Sequence, residues 1–313
     1  MDVTIVICTY NRCQYLRETL ASLARVRVPE KLRCELLIVD NGSTDQTSKV
    51  VRSSVIAKLP IRYVYEPKRG KGNAYNAAIA QSQGEILLFT DDDVRLPHNW
   101  ITDMCEPIWS RNAHAVAGGV KIASHLERSW MTSKHRSWLA STERLNPNVP
   151  EDLVGANMAI SRKVLNRVPE FDVELGPGAM GFGEDTLFSW QLKEAGFSLA
   201  SKLDALVEHH CEESRLSRVN FLDRAKKEGQ VDAYIAYHWE HKSISFLRLR
   251  LLKAKLRLRY LQWKNKRELS SSEGIPEWEI GVVAGFNFYR QYLTECKRNF
   301  NYERRGLIKR GSL

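Results

Sequence analysis

Hydrophobic positions in the first third of the chain fall into short unbroken runs separated by stretches of helical spacing. Thr4 to Thr9 is a β-branched run, and Tyr15, Leu16, Thr19, Leu20 and Leu23 then recur three and four apart, which predicts a strand followed by a helix. Leu36-Leu37-Ile38-Val39 ends at Asp40; an Asn41-Gly42-Ser43 turn follows, with Thr44 or Asp45 placed to cap the next helix. Ile61 to Tyr65 supplies a third strand, Ala74, Ala77, Ala78 and Ile79 mark a helix, and Glu85 to Thr90 forms a fourth strand. Apolar strands that alternate with helices predict an α/β fold with a doubly wound, mainly parallel sheet. A short run, Ala115-Val116-Ala117, ends at Gly118-Gly119, and the regular alternation stops there.

The last part of the chain has a different pattern. Ile244, Leu247, Leu251, Ala254, Leu258 and Leu261 lie on one helical stripe, and Leu249, Leu252, Leu256, Tyr260 and Trp263 lie on nearly the opposite side. Arg248, Lys255 and Arg259 run between them, with Arg250, Lys253, Arg257 and Lys264 on the remaining face. The alternating Leu-Arg stretch could also be read as an edge strand, but its length favours a helix. Two arrangements stay open for a helix over 244–267. One stripe packs on the protein while the other rests on an anionic membrane surface, or the helix is clasped by the following Trp278 to Tyr292 segment or by another subunit.

Composition narrows the class. The 313 residues, 43% of them hydrophobic, suffice for a large core, as one α/β domain with an extension or as two domains. Six cysteines are scattered without a CxxC pair, and no basic-then-apolar leader precedes Val3, so the expectation is reduced thiols and a cytoplasmic location. No run approaches the ~18 apolar residues needed to cross a bilayer. A formal charge of +10 suits a phosphate-bearing ligand, an anionic membrane or a nucleic acid.

Chemistry concentrates at the ends of the predicted strands. Asp91-Asp92-Asp93 closes the fourth strand, where open α/β sheets present ligand-binding groups. Three adjacent carboxylates are tolerable in solvent or against a divalent cation, and hard oxygen ligands suit Mg2+ or Mn2+. A glycine-rich turn is missing from Cys8-Thr9-Tyr10-Asn11-Arg12-Cys13, and no GxxxxGK(S/T) occurs, which excludes the usual dinucleotide and P-loop cradles. Asp40, the basic stretch Lys68-Arg69-Gly70-Lys71 and the aspartate triplet could each be a plain turn or solvated loop. Together, at successive strand ends, they make a nucleotide site.

With these motifs in hand, the chain resembles a family 2 glycosyltransferase of the GT-A type. The resemblance rests on Thr9-Tyr10-Asn11, Val39 to Asp45, Lys71-Gly72 with Asn76, Asp91-Asp92-Asp93, Gly155 to Ile160, Gly183-Glu184-Asp185 and Val207-Glu208-His209. It spans roughly residues 3–230 in the family's order. It implies a nucleotide-sugar-binding half over 1–118, an acceptor-binding and catalytic half over 119–240 and a basic helical C-terminal extension over 241–313. It also implies that Thr9, Tyr10, Asn11, Asp40, Lys71, Asp91 and Asp92 bind the nucleotide, with a UDP-sugar favoured. Asp93 and His209 would hold Mg2+ or Mn2+, although His210 beside His209 leaves the register open. Glu184, Asn157 and Trp138 would meet the acceptor.

The chemistry can be argued beside the resemblance. Breaking a glycosyl phosphate bond leaves a nucleoside diphosphate, whose charge a divalent ion stabilises, and a carboxylate should take the acceptor's proton. Asp185 is the candidate base, at the start of a helix carrying Leu187, Phe188 and Leu192; capping is the plainer use of such an acid. Residues 120–152 lack clear periodicity; the resemblance implies a mobile loop over donor or acceptor there, in which Trp130 or Trp138 could stack on a sugar or simply pack, and His125 and His135 read as surface residues. No Gln-x-x-Arg-Trp motif follows Asp185 and no spanning helix forms a channel, which argues against a processive polymer synthase. Transfer of one sugar to a glycan, lipid-linked or small-molecule acceptor is expected, by a protein peripheral on the inner face of the membrane. A sugar-nucleotide pyrophosphorylase would carry a glycine-rich loop after the first strand. A basic nucleic-acid-binding protein would leave the carboxylates unexplained, and no nucleic acid partner is expected.

Overall fold

A computed structural model describes residues 2–143, 145–146 and 152–311. Strands β1 (Val3–Thr9), β2 (Cys34–Asp40), β3 (Ile61–Tyr65) and β4 (Ile86–Asp91) pair in parallel in the order β3-β2-β1-β4. Helices α1 (Cys13–Leu23), α2 (Thr47–Ser53) and α3 (Lys71–Gln81) connect them. The strands are apolar on both sides because both sides are covered. Val3, Ile5, Ile7, Leu36, Ile38 and Leu88 point towards α1 and α2, while Val6, Leu37, Val39, Leu87 and Phe89 face α3. All are buried.

The sheet continues with β7 (Asn157–Ser161), β6 (Ala115–Ile122) and β8 (Leu199–His209), and ends on the two-residue β5 (Val94–Arg95). Strand β7 runs antiparallel to β4 and β6, so the eight-stranded sheet is mixed but mainly parallel. Two expectations are corrected here. The strand expected to stop at Gly118-Gly119 runs on to Ile122, with a register shift between the two glycines. A Cβ at Gly118 would lie 2.2 Å from the Asn157 amide nitrogen, so glycine serves close packing at that point and does not end the strand. The loop expected over 120–152 contains a short helix, α5 (Ser133–Trp138), in which His135 is buried and bonded to the Ile275 carbonyl, not a surface residue. Residues 144 and 147–151 of that segment lie outside the described residues.

Helix α4 (Trp100–Trp109) packs beneath β6 and β8, and α6 (Glu184–Glu194) beside Phe171, whose ring stacks on Phe188 at 4.2 Å. The C-terminal part is a helical layer. Helix α7 (Arg218–His238) packs against α9 (Glu277–Glu295), and α8 (Leu247–Lys264) packs on α9 as well. The final segment returns to the sheet domain, where buried Asp172 accepts hydrogen bonds from Tyr234, Tyr302 and Lys309 at 2.6–2.7 Å. That knot ties the helical layer to the loop leading into α6.

Candidate active site

The carboxyl ends of β1, β2 and β4 open into one cleft of about 560 Å³. Asp91 at the end of β4 accepts a hydrogen bond from Lys71 Nζ at 2.7 Å. Asp92 accepts from Thr9 Oγ1 (2.7 Å) and Arg12 Nη1 (2.8 Å), and Asp93 from Arg12 Nη2 (2.8 Å). Asp92 and Asp93 are buried, so the triplet is no solvated turn; Lys71, Arg12 and His209 sit against its three charges. The sequence offered only solvent or a metal for that task. Burial pushes the Asp92 carboxyl up to about 7 against the pull of Arg12. At Asp93 burial acts in the same direction, but His209 and Arg12 outweigh it and hold the group below the usual carboxylate range.

His209 settles which of the adjacent histidines faces the triplet. Its Nδ1 lies 2.8 Å from the Leu139 carbonyl oxygen, which can only accept, so Nδ1 carries the proton. The ring turns its Nε2 towards Asp93 Oδ1, 3.3 Å away. That oxygen is buried and has no hydrogen-bond partner. With a metal in place of the Nε2 proton, that nitrogen and this carboxylate oxygen would be acceptable first-row metal ligands. No group of three His, Cys, Asp or Glu side chains converges among the described residues, so the protein alone builds no closed metal cage. His210 instead points to Glu208, 2.7 Å away.

The opposite wall is the start of α6. Asp185 Oδ2 accepts the Gly155 N–H at 3.0 Å and Oδ1 accepts the Thr186 N–H at 2.8 Å. One first-turn amide is thus satisfied, but the carboxylate is also tied to the backbone at Gly155. A Cβ at Gly155 would lie 2.7 Å from the Tyr75 hydroxyl, 3.1 Å from Lys71 Nζ and 3.6 Å from Asp185 Oδ2. Glycine is required there because the Lys71–Asp91 wall and the Asp185 wall meet at that backbone. Burial, then the neighbouring Asp185 charge, pushes Glu184 up to about 7, and burial also raises Asp185. The Lys71 N–H donates to the Pro177 carbonyl (2.8 Å), which stitches the basic loop to the glycine-rich turn before α6.

The other expected site residues divide. Tyr10, Lys71, Asp91, Trp138, Glu184 and Asp185 line the cleft; Arg69 stacks over Tyr10. Thr9 and Asp92 line it too, with their polar groups bonded to each other. Asp40 lies behind Asn41, accepting from the Ser43 N–H and the Tyr63 hydroxyl, and Asn11 accepts from the Thr44 N–H. Asn157 is corrected. It is fully buried, donates to the Gly119 and Ala205 carbonyls and accepts from the Trp100 indole, so it holds the sheet and cannot reach an acceptor. Sequence reasoning missed Arg12 and Arg224. Arg12 follows Tyr10-Asn11 directly, and a cation one turn after β1 was a usable signal. Arg224 lies on Phe182 with its Nε buried and unpartnered, its pKa lowered by burial to about 10; no sequence signal marked it within a long helix of mixed charge.

Comparison with known proteins adds the following. A family model described as glycosyl transferase family 2 matches residues 4–168. The succinoglycan biosynthesis protein ExoM of Rhizobium meliloti is 28% identical over 239 residues, 74% of each chain. Glycosyltransferase AglE of Haloferax volcanii is 26% identical over 213 residues, 66% of each. Among solved structures, the chain is similar to mannosyltransferase PcManGT from Pyrobaculum calidifontis in complex with GDP-Man and Mn2+ (TM-score 0.55, 16% identity, 95% of this chain and 75% of that one). It is also similar to S. aureus TarS 1-349 in complex with UDP-GlcNAc (TM-score 0.53, 17% identity, 95% and 92%).

Proposed function

Because the chain belongs to glycosyl transferase family 2 and has the GT-A fold, making it a glycosyltransferase, we propose that it moves one sugar from a nucleoside-diphosphate sugar to an acceptor hydroxyl with inversion. The observation that carries this reading is the pairing of walls in one cleft. Lys71–Asp91, Asp93–His209 and Asp185, held by the Gly155 N–H, all line it.

The nucleobase belongs at the end bounded by Tyr10, Arg69 and Asn41, with Asp40 behind them as an acceptor. Lys71, and Arg215 and Arg224 across the cleft, supply positive charge for the phosphates. Asp93 Oδ1 and His209 Nε2 would hold one divalent cation, Mg2+ or Mn2+, completed by donor oxygens and water. When bound, that ion neutralises the charge that builds on the leaving diphosphate. The acceptor oxygen attacks the anomeric carbon as the carbon–oxygen bond to phosphate breaks. Asp185 takes the hydroxyl proton, and the nucleoside diphosphate departs. Glu184, buried next to it, and Trp138 on the cleft wall are placed for the acceptor's other groups.

Two of the similar proteins carry UDP-GlcNAc or GDP-Man, which supports a nucleotide-sugar donor, and ExoM is named for succinoglycan biosynthesis, which supports a glycan acceptor. No helix is long and apolar enough to cross a membrane among the described residues, and a peripheral location on the inner face suits a lipid-linked acceptor. The halves 1–118 and 119–240 would then serve donor and acceptor, with 241–313 as the attachment.

A thermal-shift screen of nucleoside diphosphates and their sugars, with and without Mn2+, tests the donor. Calorimetry on Asp93→Ala tests the metal: metal-dependent nucleotide binding should vanish while the protein stays folded. Unchanged metal-dependent affinity would remove Asp93 from that role.

A further inference from the structure

Helix α8 is the outermost element of the helical layer, and none of its residues is buried. The inner of its two apolar stripes, with Leu247, Leu251 and Leu258 half-buried, lies towards α9 and α7. The outer stripe has no cover. Phe246, Leu249, Leu252, Leu256, Tyr260 and Trp263 are 79, 49, 52, 56, 57 and 75% exposed and follow one another at helical spacing. Cations border this stripe on both sides: Arg250, Lys253, Arg257 and Lys264 along one flank, Arg248, Lys255 and Arg259 along the other. The helix contains no acidic residue, and none of these cations forms an ion pair among the described residues.

We propose that the outer face of α8 docks flat on a lipid surface carrying anionic headgroups. Each part of the face fits that occupant. The leucines and Phe246 would enter the boundary of the acyl region, Tyr260 and Trp263 suit the headgroup level, and the flanking cations reach the phosphates while their stems cover apolar surface. A second copy of this chain fits badly, because a two-fold contact through this face would set its cations against an identical set. A nucleic acid would answer the charge but leave the row of leucines in water. The start of the helix points the same way. Arg248 and Arg250 occupy its first turns, where the helix dipole disfavours cations, and Phe246 at the N-cap has φ 54° and provides no side-chain cap. Local stability is given up at positions where an anionic surface would restore it. The inference does not depend on the identity of donor or acceptor.

Co-sedimentation of the full chain with vesicles tests it, using phosphatidylcholine alone and phosphatidylcholine mixed with phosphatidylglycerol, at low and high salt. The expected result is binding to the mixed vesicles that weakens with salt, and little binding to phosphatidylcholine alone. Arg250→Glu/Lys253→Glu/Arg257→Glu should bind at least roughly tenfold more weakly. Leu252→Ser/Leu256→Ser/Trp263→Ser should also detach, with every cation kept. Both variants are checked by thermal unfolding and by nucleotide binding, which lies outside this helix. Absence of wild-type binding to either vesicle overturns the proposal, as does equal recovery of wild type and both folded variants. A dimer in light scattering that the charge variant dissolves would assign the face to a second copy. Tight RNA binding unaffected by the serine variant would assign it to nucleic acid.

Discussion

The cleft and helix α8 use the same charged side chains in opposite ways. In the cleft the charges are buried or half-buried and matched: Asp91 has Lys71, Asp92 has Arg12, and Asp93 has Arg12 and His209. On α8 seven cations are exposed and no carboxylate answers them among the described residues. A matched buried charge is needed for the protein to fold around it, since a lone one costs several kcal/mol. An unmatched exposed charge costs little in water and is left for something outside the chain. Charge count alone, +10 over the sequence, says nothing of this division. Among the described residues, Arg12 Nε, Asp93 Oδ1 and Arg224 Nε are the exceptions inside the cleft, buried polar atoms without a hydrogen-bond partner.

The largest effect expected anywhere in the molecule is at Asp185. Asp185→Asn keeps the shape and can still accept the Gly155 N–H through its amide oxygen, but it cannot take a proton. Turnover should fall by roughly 10²-fold to 10⁴-fold with nucleotide affinity near wild type. The wild-type pH profile belongs to the same test. Burial raises Glu184 to about 7 and raises Asp185, so the pair gains a proton on the acid side of neutrality and the base is lost as pH falls. Turnover should rise with pH up to neutrality and then level. Near-normal turnover in a folded Asp185→Asn protein, or a rate that climbs as pH falls, would place the base elsewhere.

How far the sequence alone leads also differs between the two regions. Strands β1 to β4 were legible because each is a short apolar run closed by a turn, and the aspartates were legible because they end such a run. The outer stripe of α8 was legible because helical spacing is a local property. What was not legible depends on partners far along the chain. Arg12 meets Asp92 across 80 positions. Strand β7 runs antiparallel in a parallel neighbourhood, and its Asn157 looked like a ligand group because its true partners, Trp100, Gly119 and Ala205, come from three separate elements. The glycines at 118–119 looked like a strand end for the same reason, since Gly118 makes room for that asparagine.

Stability should separate matched from unmatched cations. Arg12→Ala leaves two buried carboxylates without their shared partner, and breaking a buried pair costs about 3–5 kcal/mol. Arg257→Ala on α8 should stay within about 0.5 kcal/mol, as for most exposed sites. Denaturant unfolding of both variants reads the difference directly. Mn2+ with a nucleoside diphosphate should recover part of the Arg12→Ala loss, because a cation at Asp93 replaces some of the missing charge. Equal costs for the two substitutions would dissolve the contrast between the regions.

The smallest effect is the sharpest test of why α8 carries its cations. Arg248 is exposed and sits in the first turn of a helix that has no acidic residue there and no side-chain cap. A cation at that end opposes the helix dipole, so Arg248→Glu should stabilise the isolated protein by about 0.3–1 kcal/mol. The same substitution removes a positive charge from the flank of the outer stripe and places a negative one there, so binding to vesicles containing phosphatidylglycerol should weaken by several-fold. Packing on α9 should not change, since Arg248 lies off the stripe that faces it. Opposite signs in the two measurements are what an externally directed charge predicts. A loss of stability in denaturant unfolding would mean that Arg248 serves the fold itself, and α8 would then belong with the cleft as a region whose charges are answered from within.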